Sequence, residues 1–260
     1  MTEVSAATGA QHQRFADWRV LALRMTAFPV TPFDRDKVVG WEEAIGSPPD
    51  QMKEQPQLRI REETGEHKGG QLTLGILPDR IEWRYGAPLG IPSSSGGVVA
   101  PADLPRYSDA VNWFIPFICE QLPRLPPLTR VAFGPELLLP AEDHDAAYGA
   151  LGSFLSSVKV DPTSREFEYA INRRRTSTTG IPGLEINRLS RWSSLEFHFR
   201  IFSRENRELG EAPSSFATRL VMDINTAHEY TQALPTESLL ELFEELARLA
   251  TEIAEKGEVP

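Results

Sequence analysis

The chain has 260 residues, with 27 Lys+Arg against 37 Asp+Glu, a formal net charge of -10 and 40% apolar residues. A single cysteine excludes a disulfide framework and a cysteine-rich zinc site, and no run approaches the ~18 apolar residues of a membrane-spanning helix. The polar N-terminus points to a cytoplasmic address, and the overall acidity disfavours a general affinity for phosphate backbones.

Residues 1–16 are polar and aperiodic and read as a flexible terminus. The short apolar run from Arg19 to Thr26 predicts a strand, ended by Pro29 and Pro32. Asp34 then caps a predicted helix through Gly46, with Val38, Trp41 and Ile45 on one face. Pro48, Pro49 and Pro56 make the next link. Period-two alternation predicts three strands: Leu58 and Ile60 against Arg59 and Arg61; Leu72, Leu74 and Ile76 against Thr73 and Gly75; Ile81, Trp83 and Tyr85 against Glu82 and Arg84. Turn chemistry fills Gly65 to Gly70 and Pro78-Asp79. A flexible loop is expected over 86–106, because 11 of the 20 residues at 86–105 are Gly, Pro or Ser. A helix from Ser108 to Leu122 uses Val111, Phe114, Ile115, Ile118 and Leu122.

The pattern then begins again. Thr129 to Leu139 reads as a strand, and Asp143 or Glu142 caps a helix to Ser157. Phe167, Tyr169 and Ile171 predict a strand, and Leu184 with Ile186 a short one. Leu195, Phe197, Phe199 and Ile201 alternate with Glu196, His198 and Arg200. Leu220 to Asn225 is a strand. Thr236 opens a last helix with the stripe Leu239, Leu242, Phe243, Leu246, Leu249, Ala250 and Ile253.

Laid over each other, the halves share an element order of strand, helix, several strands, helix. The expected fold is α+β, one compact unit of two pseudo-repeats, 17–123 and 124–260. They would join in an antiparallel sheet with helices packed on one face. The other face would carry Arg59, Arg61, Glu82, Arg84, Glu196, His198 and Arg200. At fold level this order resembles the duplicated saddle of the TATA-box-binding protein. The layout of Ile81-Glu82-Trp83-Arg84, Leu128-Thr129-Arg130-Val131 and Leu220-Val221-Met222-Asp223-Ile224-Asn225 resembles a second group. It is an uncharacterised, sporadically distributed bacterial family of about this size. Phe133-Gly134-Pro135 stands where that pattern has a polar run. The resemblance implies a place in mobile or accessory genetic modules, of the toxin-antitoxin or phage-defence kind. It supplies no catalytic residues.

The chemistry is sparse. No two of His12, His67, His144, His198 and His228 are spaced as a ligand pair, so no metal site is expected. No phosphate loop or dinucleotide motif occurs, so no cofactor is expected. Glu142, Asp143 and His144 form one candidate acid-base cluster, and Asp223 with His228 a second. The first reads rather as a helix N-terminus, the second rather as turn chemistry. Lone Cys119, beside an apolar helical stripe, reads as a small core residue.

The most informative surface feature is basic. Residues 165–207 hold nine Arg and five Glu, net +4. Arg173, Arg174 and Arg175 lead into a Ser/Thr run, and Arg188 and Arg191 flank Trp192. These six residues are the candidate binding set, with Trp192 as an anchoring ring. Alternatively the arginines solvate a turn and Trp192 is core. The expected function is non-catalytic binding of another protein, with no membrane association. Nucleic-acid binding through the same arginines is the second reading, and a hydrolase-like enzyme the third.

Overall fold

A computed structural model of the chain describes residues 17–87, 100–198, 200–202, 208–211 and 214–258. The expected terminal segment 1–16, residues 88–99 of the expected loop, and Phe199 lie outside the described residues. The fold is α+β. Eleven of the described strands form one antiparallel sheet, accompanied by four described α-helices.

In chain order the sheet contains β1 (Arg19–Pro29), β2 (Gln51–Gln55), β3 (Ile60–His67), β4 (Gly70–Ile76), β5 (Ile81–Gly86), β6 (Leu128–Phe133) and β7 (Glu136–Ala141). It continues with β8 (Glu168–Asn172), β9 (Arg175–Thr176), β10 (Glu185–Phe197) and β13 (Ser215–Thr226). β11 (Arg200–Phe202) and β12 (Glu208–Glu211) pair only with each other. The helices are α1 (Trp41–Ile45), α2 (Tyr107–Gln121), α3 (His144–Phe154) and α4 (Leu239–Lys256). The strand order is β2-β3-β4-β5-β1-β6-β13-β10-β8, with β7 also between β1 and β13 and β9 beside β10.

The centre of the sheet departs from the simplest reading in one place. The single strand expected from Thr129 to Leu139 is divided at Gly134-Pro135 into β6 and β7. Proline has no N–H to give a ladder. Here the Pro135 carbonyl still accepts from Met222 N (2.9 Å), and Gly134 N donates to Arg24 O (2.7 Å). The two pieces therefore keep both neighbours, β1 and β13.

The helix expected from Asp34 to Gly46 is also broken. Asp34 caps only a 3-10 turn, Arg35–Lys37, and α1 starts afresh at Trp41. Gly40 has no side chain to cap it. The buried Glu63 carboxylate on β3 accepts the Trp41 N–H instead (2.6 Å). Glu63 lies opposite Leu74 in the ladder, and Gly65 is bare because the Trp41 ring fills its Cβ space. The turn that follows is Lys68-Gly69, both at positive φ (51° and 74°), so β3 runs through His67.

The second half has longer strands than alternation predicts. The segments expected around Ile186 and Leu195 are one thirteen-residue strand, β10. β2, a nearly all-polar strand, was not expected, nor was β12.

One apolar cluster runs from Trp18 to Ala254. Trp18 packs against Phe154 (5.5 Å) and Trp192 (6.3 Å), and its Nε1 donates to Ala254 O on α4 (2.9 Å). The predicted stripe of α4 is buried throughout. A second, small cluster joins Leu104, Leu138 and Ala217 with Leu195 and Phe197. In the ladder Ala217 stands opposite Leu195, one position from the opposed core residues Leu220 and Trp192 in parity, so this cluster lies on the other face of the sheet.

Candidate functional site

The basic stretch divides between two sides of the sheet. Register places Arg188 opposite Ile224, on the core face, where it is only 5% exposed. Its guanidinium lies 4.0 Å from Glu252 on α4. Burial pulls its pKa below the ordinary arginine value, Glu252 opposes this, and the nearby Arg175 and Arg173 add to it. Arg173 donates to the buried Glu258 carboxylate, which also accepts from Ser157 Oγ. Arg174 turns to the other side, donating to Asn187 Oδ1 (2.8 Å) and Glu229 Oε1 (2.6 Å). Arg191 is exposed and pairs with Glu168 (3.2 Å).

Trp192 is fully buried. Its ring stacks on Phe154 at 5.4 Å, and Nε1 donates to Ser190 Oγ (3.1 Å). It packs in the core and presents no ring to a partner. The Ser/Thr run after Arg175 is tied down as well: Ser177 and Thr178 donate to Glu245 of α4.

Glu258 gives this region a pH dependence. Burial pushes its carboxyl up, but hydrogen bonds from Ser157, Arg173 and Tyr169 together hold it below the ordinary glutamate value. A depressed native pKa stabilises the fold above the unfolded-state value, and this is lost as pH falls through the native one. Glu258→Gln is therefore expected to be less stable at neutral pH and to flatten the acid side of the melting temperature–pH curve. Melting scans of both proteins across the acid range check this; parallel curves would contradict it.

The opposite face of the sheet holds the most ordered polar array. Asn172 Nδ2 donates to Asn187 Oδ1 (3.0 Å), and Asn187 Nδ2 donates to Asn225 Oδ1 (3.0 Å). These residues come from three adjacent strands, β8, β10 and β13. Arg174 meets the middle of this ladder at Asn187 Oδ1, and Arg130 Nη2 meets its Asn225 end at Oδ1 (3.4 Å). Arg130 is fixed further by Thr226 O (3.3 Å) and by the Phe28 ring below its guanidinium (4.7 Å). Four residues from Phe28 along β1, Arg24 stands directly opposite Arg84. Both are exposed, and neither forms an ion pair with a described carboxylate. Like charges opposite each other in a sheet are unfavourable on their own.

Of the residues expected on this face, Glu82 and Arg84 are there. Arg61 is not: it stands opposite Ile76 on the core face. Arg59 ends a 3-10 turn at positive φ (55°). Glu196 has the parity of Trp192, and His198, beyond the strand, contacts it (3.4 Å) and Ser214 (3.1 Å).

The two candidate acid-base groups lie on different elements. Asp143 Oδ1 accepts the Ala146 N–H (2.8 Å) as the N-cap of α3. His144 stacks on Tyr148 (4.3 Å), its Nδ1 3.3 Å from Asp145, and Glu142 is exposed. Asp223 lies on β13 opposite Leu189, while exposed His228 follows the strand and contacts Glu229 (3.3 Å). No group of three or more His, Cys, Asp or Glu able to hold a metal occurs among the described residues. Burial pushes the Cys119 thiol up to about 11, with Glu244 adding to this, so it is protonated at neutral pH. None of the described helices is long and apolar enough to cross a membrane. No family model and no curated protein matches the chain.

Proposed function

We propose that this is a non-catalytic binding protein that docks a carboxylate-bearing protein surface on the sheet face of Asn172, Asn187 and Asn225. The observation that carries this is the pairing of a fixed polar ladder with Arg24 and Arg84, opposed, exposed and without carboxylate partners among the described residues. Asn187 and Asn225 are themselves buried, so the ladder stiffens the sheet beneath this face and little freedom is lost on binding. Planar guanidinium groups recognise carboxylates in paired hydrogen bonds, and arginine is enriched at protein interfaces.

Nucleic-acid binding through the basic stretch is less well supported. Arg173, Arg174, Arg188 and Arg191 each face a glutamate, so most of the local positive charge is already answered. An antitoxin-like or phage-defence role, implied by the sequence resemblance, is one setting for a protein-binding module.

The two-repeat architecture belongs to the same proposal. From the middle of the sheet outward, the first half runs β1, β5, β4, β3 and the second β6/β7, β13, β10, β8. Each half places its first strand centrally, its last strand next, and the earlier ones outward. With α1 to α4 packed on the core face, docking falls to the exposed part of the opposite face around Arg24 and Arg84, beside the covered Leu104, Leu138 and Ala217 cluster.

Low-salt affinity capture from the native host, reading protein and nucleic acid together, tests the functional reading. A stoichiometric protein partner with no nucleic acid is expected. Nucleic acid retained at low salt and released steeply with added salt would overturn it.

A further inference from the structure

A second polar site lies away from that face, where the turn after β2 meets β3. Arg35, Arg59 and Arg61 line a cavity of about 290 Å³ whose apolar wall includes Ile60 and Ile76. The turn holding Arg35 closes over the core-face end of β4, with Arg35 Nη2 on Ile76 O (3.4 Å). Arg61 is held by buried Glu63, 3.3 Å away.

Two features of these arginines are unusual. Arg35 Nε and Arg61 Nε are both buried without a hydrogen-bond acceptor among the described residues. The Arg61–Glu63 contact is close enough for an ion pair but not aligned as a hydrogen bond. Buried donors are nearly always satisfied, and an orphan costs about 1–3 kcal/mol. Arg59 sits at φ 55°, a conformation costly for a side chain other than Gly or Asn. The cavity thus gathers three guanidinium groups beside an apolar wall, and two of these arginines carry a buried, unsatisfied Nε. Its size is near the lower end for small-molecule sites, roughly 300–1,000 Å³.

We propose that this cavity binds a small oxyanion-bearing molecule, its phosphate or carboxylate group received by Arg35, Arg59 and Arg61. The acidic Asp36 and Glu54 also line the cavity and favour a ligand with a hydroxyl- or amine-bearing body over a bare polyanion. The site is independent of the docking face: Arg61 and Ile76 have core-face parity, and Arg84 has the opposite one.

Isothermal titration with inorganic phosphate and, separately, with citrate tests the proposal. Arg59→Gly leaves the turn at ease at positive φ while removing the guanidinium, and Arg35→Gln removes a second one. Saturable one-site binding is expected with at least one probe, weakened about tenfold or more in both variants and unchanged in Arg191→Gln. Tighter phosphate binding assigns a phosphate-bearing ligand, and tighter citrate binding a carboxylate-bearing one. Arg59→Gly should unfold at the same denaturant concentration as the parent or a higher one, which separates lost binding from lost fold. No saturable binding of either probe in the millimolar range, or binding indifferent to both variants, overturns the proposal.

Discussion

Replacing Trp192 with alanine is expected to lower the free energy of unfolding by about 3–5 kcal/mol, the usual cost of truncating a buried tryptophan. The ring is fully buried between Phe154 and Trp18, two residues that tie α3 and the start of β1 to the sheet. Truncation leaves a cavity on the core face of β10 and deprives Ser190 Oγ of its donor. Domains of this kind are stable by about 5–15 kcal/mol, so the loss is a large fraction of the whole. Urea unfolding of the two proteins measures it. The experiment also separates the two readings of the flanking arginines, because an exposed anchoring ring would cost about 0.5 kcal/mol or less. A variant as stable as the parent would place Trp192 outside the core.

The second large effect is expected at Glu245. This carboxylate is 3% exposed on α4, yet it accepts from Ser177 Oγ (2.7 Å), Thr178 N (2.9 Å) and Thr178 Oγ1 (2.8 Å). It joins the loop after β9 to the helix. Glu245→Ala orphans these donors together, at a cost of about 2–4 kcal/mol. Glu245→Gln keeps one acceptor oxygen and should recover part of that loss. Denaturant midpoints give the stabilities, and hydrogen exchange at Thr178 reads the local effect. Faster exchange at Thr178 in Glu245→Ala is predicted; unchanged exchange and stability would show that the clamp contributes nothing.

These two residues show what the sequence reveals and what it hides. α4 was legible because Leu239, Leu242, Phe243, Leu246 and Leu249 repeat at the helical period and are all buried. The β4 and β5 strands were legible because Leu72, Leu74, Ile81 and Trp83 alternate with polar residues that face away. β10 was not, because its core-face positions include Arg188 and Ser190 beside Ile186 and Trp192. Polar residues facing inward break the alternation, and their compensation comes from Glu252 and the Trp192 N–H, far off or unseen in a linear reading. Glu245 was hidden for the same reason, since a glutamate within an amphipathic stripe reads as its wet border.

The proposed docking face was legible only in part. Arg84 and Glu82 followed from alternation. The opposition of Arg24 and Arg84 needed the β1–β5 register, and the ladder of Asn172, Asn187 and Asn225 needed three strands brought side by side. Asparagine disfavours strands in isolation, so three of them in adjacent strands are a usable signal once the pairing is known. The candidate acids at Glu142 and Asp143 show the converse. They are conspicuous in the sequence, and the structure gives Asp143 the capping role that the alternative reading assigned to it.

The proposed function requires that Arg24 and Arg84 meet carboxylates of a protein partner. The direct measurement is the affinity of the captured partner for the parent protein, for Arg24→Glu with Arg84→Glu, and for Lys37→Glu, an exposed charge on the turn before α1. The double reversal is expected to weaken binding by about a hundredfold or more, as for several kcal/mol of like-charge juxtaposition. Lys37→Glu should bind as the parent does. A partner held equally by all three proteins would contradict the account and move its docking site elsewhere.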